Sequence, residues 1–244
     1  DLSAVVIRSS GAGLCKKGGT YLVTGKLRDG MYAAYRGSFP KAPHPSFIVL
    51  PLADEILGSR PIPIYIVDPD GVDEFQDVAY ITGHPDLPRS SGFHVLKHKA
   101  IARKASRDLG KRYEDADLVV AHMGGGISIA AHRHGMVVDS TSGGSAGEGP
   151  FGTNRTGPLP LNKLVDRCFS GAYTKSEIMD LIMTQGGFLA HTGCTDLRII
   201  EQKAADGDAH CDLIIRAFIY QVCRYTGAQF TVLNCQADAI VLTG

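Results

Sequence analysis

The stretch DLVVAHMGGGISIAAHRHGMVVDST, residues 117–141, places three consecutive glycines between two apolar runs. Glycine weakens a strand through its backbone entropy, and within a strand pattern it usually marks a bulge or the close approach of another group. The stretch predicts a β-meander with strands at 118–121, 127–132 and 136–138, a glycine turn at 123–126 and a second turn at His134–Gly135. The glycines therefore indicate that another group lies close to the first turn.

A phosphate group is one candidate for that neighbour. Glycines at 124–126 would let backbone N–H groups converge into a concave site for phosphate oxygens, and Ser128 would add a hydroxyl donor. The sequence has neither the GK[ST] ending of a Walker loop nor the following helix of a dinucleotide-binding turn. A tight hairpin without a ligand is the alternative, and His122 alone is more typical of a core histidine.

The segments on both sides of the meander alternate between strand and helix patterns. Residues 1–24 predict a strand, a loop and a second strand. Residues 26–60 are less clear, although SFIVLPLADEILGS (46–59) has helical spacing despite Pro51. An apolar strand then ends at Asp68. A helical apolar stripe with basic residues opposite covers 92–110, helices are predicted within 161–186 and 196–230, and ADAIVLTG predicts a last strand. This order is typical of an α/β fold with a mixed sheet.

Composition favours a small-molecule partner. Lys plus Arg and Asp plus Glu both number 25, so no net positive charge favours nucleic acid or an anionic membrane surface. The apolar runs are broken well before the roughly 18 to 20 residues that a membrane-spanning helix requires. The six cysteines include no CxxC pair, which predicts buried free thiols in a cytoplasmic protein, with disulfides as the weaker alternative.

Two arginines in glycine-rich surroundings are candidates for anion binding. Arg155 lies in the flexible-looking loop SGGSAGEGPFGTNRTG (142–157), and Arg8 follows the first strand. A guanidinium over a cleft suits bidentate binding of a phosphoryl or carboxylate group. A solvated loop arginine is the alternative at both positions.

Asp68 and several histidines are further candidates. Asp68 ends an apolar strand, where α/β proteins commonly place ligand-facing groups, although it is equally a turn residue before Pro69. His94 and His98 are four residues apart on one predicted helix and would face one site; without an evident third ligand, metal binding is disfavoured. The HRH sequence at 132–134 is typical of an exposed hairpin.

Taken together, these stretches resemble the acetate and butyrate kinase family. AHMGGGIS (121–128) is similar to the family's HLGxGxS phosphate loop, and VVDSTSGGSAGEGPFGTNRTGPLP (137–160) to its loop that carries an arginine. GFHVLKH, GGTY, FSGAYTK and the terminal DAIVLTG are also similar, most closely to the butyrate kinase branch. The shared order and spacing of these motifs is specific, whereas no single motif is.

The resemblance implies a two-domain protein of the sugar kinase and actin superfamily, with a ribonuclease H-like core, that transfers phosphoryl between ATP and a short-chain carboxylate with Mg²⁺. Residues 1–115 would belong to the N-terminal domain and 116–244 to the nucleotide-binding domain. The implied partners are butyrate, or alternatively acetate or propionate, together with a nucleotide and a second copy of the chain. The implied roles are as follows: Arg8, Arg155 and His94 contact the phosphoryl or acyl group, Asp68 positions Mg²⁺ or substrate, and His122, Gly124, Gly125, Gly126, Ser128 and Gly244 hold the nucleotide.

Some positions depart from the family pattern. Phe47 stands where butyrate kinases usually have Asn, and RSSGAGL (8–14) replaces a form closer to RGGLL. The first phosphate loop of the family and the segments after LTG have no counterpart here, so the chain is expected to be incomplete at both ends. A non-catalytic relative that binds a nucleotide or a partner is therefore the alternative function.

Overall fold

The structure is a computed structural model that describes residues 2–37, 45–141 and 148–244. Its strands are β1 (Val5–Ile7), β2 (Thr20–Leu22), β3 (Ile64–Val67), β4 (Leu118–Met123), β5 (Ile127–Arg133), β6 (Met136–Ser140) and β7 (Ala239–Thr243). Its α-helices are α1 (Gly25–Gly37), α2 (Pro45–Leu57), α3 (Val95–Asp108), α4 (Leu161–Cys168), α5 (Lys175–Met183), α6 (Gly187–Thr192), α7 (Leu197–Ala205) and α8 (Ala209–Val232). Short 3₁₀ turns cover Asp77–Tyr80 and Tyr113–Asp115.

The first sheet has the strand order β1-β3-β2. β1 runs parallel to β3, and β2 runs antiparallel to it. The alternating side chains Ile64 and Ile66 of the central strand point to one face, where they pack with Met31 of α1 and Leu50 of α2. This apolar layer fixes the ends of β1 and β3, and therefore the positions of Arg8 and Asp68.

The second sheet has the order β6-β5-β4-β7. β4, β5 and β6 form the predicted antiparallel meander, and β7 is parallel to β4, with His122 opposite Thr243. Both faces of β4 are buried. Leu118 and Val120 on one face pack against α3, and Val119 and Ala121 on the other face pack against α8. The sheet is therefore the middle layer of an α/β/α sandwich, as the continuous apolar run of β4 requires.

Most predicted elements are confirmed, including the helix around Pro51 and the final strand. The mixed-sheet α/β class is confirmed as well. Helix α1 was not predicted, because its three glycines, Gly25, Gly30 and Gly37, weaken the helical pattern. The Thr174 hydroxyl and the Glu177 carboxylate form a complete capping box at the start of α5, in agreement with the sequence.

Helix α3 differs from its prediction in the face that it buries. The sequence placed apolar residues inward and basic residues outward, but the buried positions are Val95, His98, Lys99, Ala102 and Ser106. Phe93 and Val95, together with Val72 and Phe75, also pack against the second sheet. Side chains between residues 72 and 95 therefore contribute to the core beside the second sheet, and the domain boundary after residue 115 stays a prediction.

The cysteines are all free thiols, as predicted. Cys15 and Cys211 are buried, but Cys168, Cys223 and Cys235 are exposed, so the expectation that all would be buried was wrong. No helix among the described residues has the length and hydropathy needed to cross a membrane.

Candidate active site

The glycine turn joins β4 to β5 and is closed by a hydrogen bond from the Gly124 amide to the Gly126 carbonyl, 3.1 Å. A side chain at Gly126 would bring its Cβ within 2.8 Å of Arg155 Nη1 and 2.9 Å of His94 Nε2. A Cβ at Gly124 would lie 3.0 Å from His122 Nε2, whereas Gly125 faces open space. The groups that approach the turn are therefore an arginine and two histidines.

Gly244 follows β7 and lies beside the same turn. A Cβ at this position would come within 2.4 Å of the Met123 carbonyl oxygen, so only glycine fits there without a shift of the backbone. Because β7 is parallel to β4, the carboxyl ends of both strands meet at this edge of the sheet. The structure thus brings Gly244 next to Gly124, as expected for two parts of one site.

Arg155 lies in a loop that α6 holds in place. The amide of Gly152 donates to the Arg155 carbonyl at 3.0 Å, and the amides of Phe188 and Leu189 donate to the carbonyls of Gly152 and Thr153. The loop was predicted to be flexible; in the described part, residues 148–157, these bonds fix it against the helix. Residues 142–147, the remainder of the predicted binding loop, lie outside the described residues.

His94 precedes the first turn of α3, with its Nδ1 2.7 Å from the Ser128 hydroxyl and its ring 4.5 Å from that of His122. Burial lowers the pKa of His94 to about 4, with further contributions from His122, Arg155 and Arg8. Burial also lowers the pKa of His122, and the charges of Lys97 and Arg8 add to that effect. At neutral pH His94 is therefore an uncharged ring that can donate one hydrogen bond.

Arg8 faces the same site from the end of β1. Its charge acts on the pKa of both His94 and His122. The side chain is exposed, and its nearest acidic partner, Asp70, is 3.9 Å away. A weak exposed pair of this kind leaves the guanidinium available to an anionic ligand.

Asp68 has a different environment from the one predicted. Its carboxylate is fully buried and accepts two hydrogen bonds from Arg103, at 2.5 and 3.1 Å, and a third from the Gly19 amide, at 2.8 Å. Its backbone has a φ of 42°, in the left-handed region that a non-glycine residue seldom adopts. Asp68 therefore does not fit as a direct Mg²⁺ ligand in this arrangement.

The described residues contain no group of three or more His, Cys, Asp or Glu side chains arranged to hold a metal ion. Mg²⁺ commonly binds through substrate phosphates with few protein carboxylates. A Mg²⁺ ion carried by a nucleotide would not require Asp68 as a ligand.

Ser128 was predicted to donate to phosphate, but its hydroxyl lies inside the fold. It is completely buried and contacts both His94 Nδ1, at 2.7 Å, and His98 Nε2, at 2.8 Å. His132 is also completely buried, so the prediction of an exposed HRH hairpin was wrong for this residue. The i, i+4 spacing correctly placed His94 and His98 on one side of α3, where they share a hydroxyl.

A cavity of about 400 Å³ adjoins the turn, and sequence reasoning missed it. It is lined by Met123 and Gly124 on one side and by Thr195 and Asp196 on the other. Asp196 was overlooked because its clearest sequence signal is that of a helix cap, and its side chain does accept from the Arg198 amide at the start of α7. The cavity provides room for a ligand larger than a phosphate group.

The family profile described as the Acetokinase family matches residues 84–244. A "Probable butyrate kinase" of Clostridium botulinum (strain Alaska E43 / Type E3) is 40% identical over 245 residues, which covers 100% of this chain and 66% of the relative. "Butyrate kinase 1" of Clostridium acetobutylicum is 41% identical over 246 residues, covering 100% of this chain and 67% of the relative. The chain thus spans about two thirds of the length of these curated relatives.

Solved structures show the same fold. The acetate kinase of Porphyromonas gingivalis matches 98% of this chain and 60% of its own with a TM-score of 0.83 and 23% identity. A propionate kinase from Francisella tularensis matches 97% of this chain and 62% of its own, with a TM-score of 0.77 and 22% identity. These matches confirm the predicted sugar kinase/actin-like fold.

Proposed function

The chain belongs to the acetokinase family, and from this premise we propose that the protein containing it transfers a phosphoryl group between ATP and a short-chain carboxylate. Butyrate is the first acceptor to test, because curated relatives about 40% identical are named butyrate kinases. Acetate and propionate differ from it by one or two methylenes, each worth only about 1 to 3 kcal/mol in a pocket.

The observation that carries this proposal is the convergence of Arg155 and His94 on Gly126. Their nitrogens lie 2.8 and 2.9 Å from the position that a Cβ would occupy there, and the charge of Arg8 reaches the same histidine. Phosphoryl transfer depends mainly on positioning and on neutralising the charge of the phosphoryl oxygens. Two arginines and a neutral hydrogen-bond donor around a glycine turn meet that requirement.

In the proposed reaction a carboxylate oxygen attacks the γ-phosphorus in line. The new O–P bond forms as the bond to the β,γ-bridging oxygen breaks, and the electron pair leaves with ADP. A carboxylate is ionised at neutral pH, with a pKa of about 4 to 5, so no general base is needed. The backbone of Gly124, Gly125 and Gly126 would hold the nucleotide phosphates, and the adjoining cavity would hold the remainder of the nucleotide.

Arg155→Ala tests this assignment in the protein as encoded. We expect acyl phosphate formation from ATP and butyrate, trapped with hydroxylamine, to fall by about 100-fold or more. Arg216→Ala is the matched control, since Arg216 is exposed on α8 and pairs with Asp212 four residues earlier. Unchanged turnover in Arg155→Ala would remove this arginine from the mechanism.

The unmodified protein gives the broader test. Failure to form acyl phosphate from butyrate, propionate or acetate would overturn the proposed activity. If ADP still bound under those conditions, measured by calorimetry, the non-catalytic alternative would be favoured instead.

A further inference from the structure

Five side chains form a continuous hydrogen-bonded series that leads from the candidate site into the core. The successive contacts are His94 Nδ1 to Ser128 Oγ at 2.7 Å, Ser128 Oγ to His98 Nε2 at 2.8 Å, His98 Nδ1 to His132 Nε2 at 3.2 Å, and His132 Nδ1 to Tyr113 OH at 2.8 Å. We call this series the histidine chain. Its members beyond His94 are all buried, and only Tyr113 retains 6% exposure.

All three rings of the chain are neutral near pH 7. Burial lowers the pKa of His98 to about 3, helped by the neighbouring His94 and His122. Burial also lowers the pKa of His132 well below its ordinary value, with His98 and Lys99 adding to the effect. A neutral imidazole has one nitrogen that donates and one that accepts, so each ring passes the direction of its hydrogen bond on to the next. The Ser128 hydroxyl could accept from both His94 and His98, but its own buried proton would then have no acceptor among the described residues, so it donates to one of the two rings.

Tyr113 decides that direction. Burial raises the pKa of its hydroxyl, which therefore keeps its proton. Across the described residues His132 Nδ1 is the sole hydrogen-bond partner of this hydroxyl. If the hydroxyl accepted from His132, its own buried proton would have no acceptor, at a cost of about 1 to 3 kcal/mol. Tyr113 therefore donates to His132.

The other bonds follow from that donation. With Nδ1 accepting, His132 carries its proton on Nε2 and donates to His98 Nδ1. His98 then carries its proton on Nε2 and donates to Ser128, whose hydroxyl donates to His94 Nδ1. The proton of His94 is left on Nε2, the nitrogen that lies 2.9 Å from the Cβ position of Gly126.

We propose that Tyr113, His132, His98 and Ser128 are positioning residues that hold His94 in the tautomer whose Nε2 donates into the site. The opposite tautomer would present a lone pair to an anionic phosphoryl oxygen and repel it. The identity of that oxygen rests on the proposed function, whereas the tautomer itself does not. Selection of the tautomer explains why Ser128 lies inside the fold and why two histidines without access to solvent extend behind His94.

Nitrogen-15 NMR of the histidine rings tests the proposal directly, because the two ring nitrogens have distinct shifts in each tautomer. In the unmodified protein we expect His94, His98 and His132 all to carry their protons on Nε2. Tyr113→Phe keeps the buried ring and removes the donated proton, so it should convert His94 to a mixture of tautomers. Tyr21→Phe is the control, since the Tyr21 hydroxyl donates to the Lys17 carbonyl at the surface.

Ser128→Ala separates tautomer control from general damage to the site. It breaks the chain between His94 and His98, so His94 should lose its preference while His98 and His132 keep theirs. In both variants we expect kcat for acyl phosphate formation to fall roughly tenfold while the KM for ATP changes little. A His94 ring protonated on Nδ1 in the unmodified protein, or a tautomer that neither variant changes, would overturn the proposal.

The NMR result is independent of turnover. A protein that forms no acyl phosphate but shows the expected tautomers would support this inference and overturn only the proposed function.

Discussion

Helix α3 carries two polar systems that differ in charge. One is the neutral histidine chain, which connects α3 to Ser128 and His132 of β5. The other consists of two ion pairs, Lys99–Glu74 at 2.7 Å and Arg103–Asp68 at 2.5 Å, which we call the charged pairs. The two systems meet at Tyr113, because the Lys99 ammonium lies 5.6 Å from the centre of its ring.

The charged pairs fasten α3 to glycine backbone near the first sheet. Glu74 accepts from the Gly18 amide, and Asp68 accepts from the Gly19 amide. A buried ion pair contributes little net stability, yet loss of one partner leaves a charge without compensation. A buried neutral group that loses its partner carries a smaller desolvation penalty than a buried charge. Its hydrogen bonds also determine which group donates and which accepts, which an ion pair does not. The difference suggests that the charged pairs fix where α3 lies, whereas the histidine chain fixes which atom donates at its first turn.

Lys99→Met is expected to have the largest effect on stability. The Lys99 and Glu74 side chains are only 2% and 4% exposed, so the variant leaves a buried carboxylate without its counterion. We expect the free energy of unfolding, measured by urea denaturation, to fall by roughly 3 to 5 kcal/mol. Lys99 also donates to the Gly135 carbonyl at 3.0 Å, a bond that methionine cannot make.

Lys104→Met is the matched control, because Lys104 lies on the same helix in an exposed i, i+4 pair with Asp108. It should change stability by no more than about 0.5 kcal/mol. Lys99→Met combined with Glu74→Gln removes both charges and should be more stable than Lys99→Met alone. Equal losses of stability in Lys99→Met and Lys104→Met would show that breaking the buried Lys99–Glu74 pair costs no more than breaking an exposed pair.

The sequence predicted the meander, the long helices and the glycine turn because each depends on a local period or a local backbone requirement. It also named Arg155 and His94, since their motifs have a recognisable order. It did not predict the burial of Lys99 and His132. Their partners, Glu74 and Tyr113, lie 25 and 19 positions away in sequence, and a polar residue can be buried only when a distant partner satisfies it.

The same reasoning explains why the surroundings of Asp68 and Ser128 could not be predicted. The sequence shows that Asp68 ends a strand, but it does not show that Arg103 reaches it from the next helix. Likewise the prediction that Ser128 donates to phosphate rests on its place directly after the glycine turn. The alternation of β5 places its side chain inward, beneath α3.

Acid is expected to lower the free energy of unfolding through the histidine chain, by less than Lys99→Met does. His98 has a pKa of about 3 in the fold, below the value of about 6.5 for a free histidine. Its neutral form therefore contributes full stability above pH 6.5, and this contribution is lost as the pH falls toward 3. Between pH 7.5 and pH 5 we expect the free energy of unfolding to decrease by about 2 kcal/mol from His98, with His132 acting in the same direction.

Denaturant unfolding at the two pH values measures this change. His132→Gln should reduce the slope of stability against pH, because one buried ring that resists protonation is gone. Ring NMR of the folded protein should show His98 and His132 uncharged at pH 5. Charged rings at that pH, or the same slope in His132→Gln, would contradict the distinction between the two systems.

Arg103→Lys is expected to have a smaller effect on stability than Lys99→Met, and it tests Asp68 itself. Lysine keeps the charge but cannot reproduce the two parallel bonds of the guanidinium, so about 1 to 2 kcal/mol of unfolding free energy should be lost. If Asp68 serves only to anchor α3, the loss of turnover should not exceed the fraction of the variant protein that is unfolded. A much larger loss of kcat in a folded Arg103→Lys protein, assayed by acyl phosphate trapping, would place Asp68 in the chemistry. It would thereby show that this charged pair, like the histidine chain, orients a group that acts on the substrate.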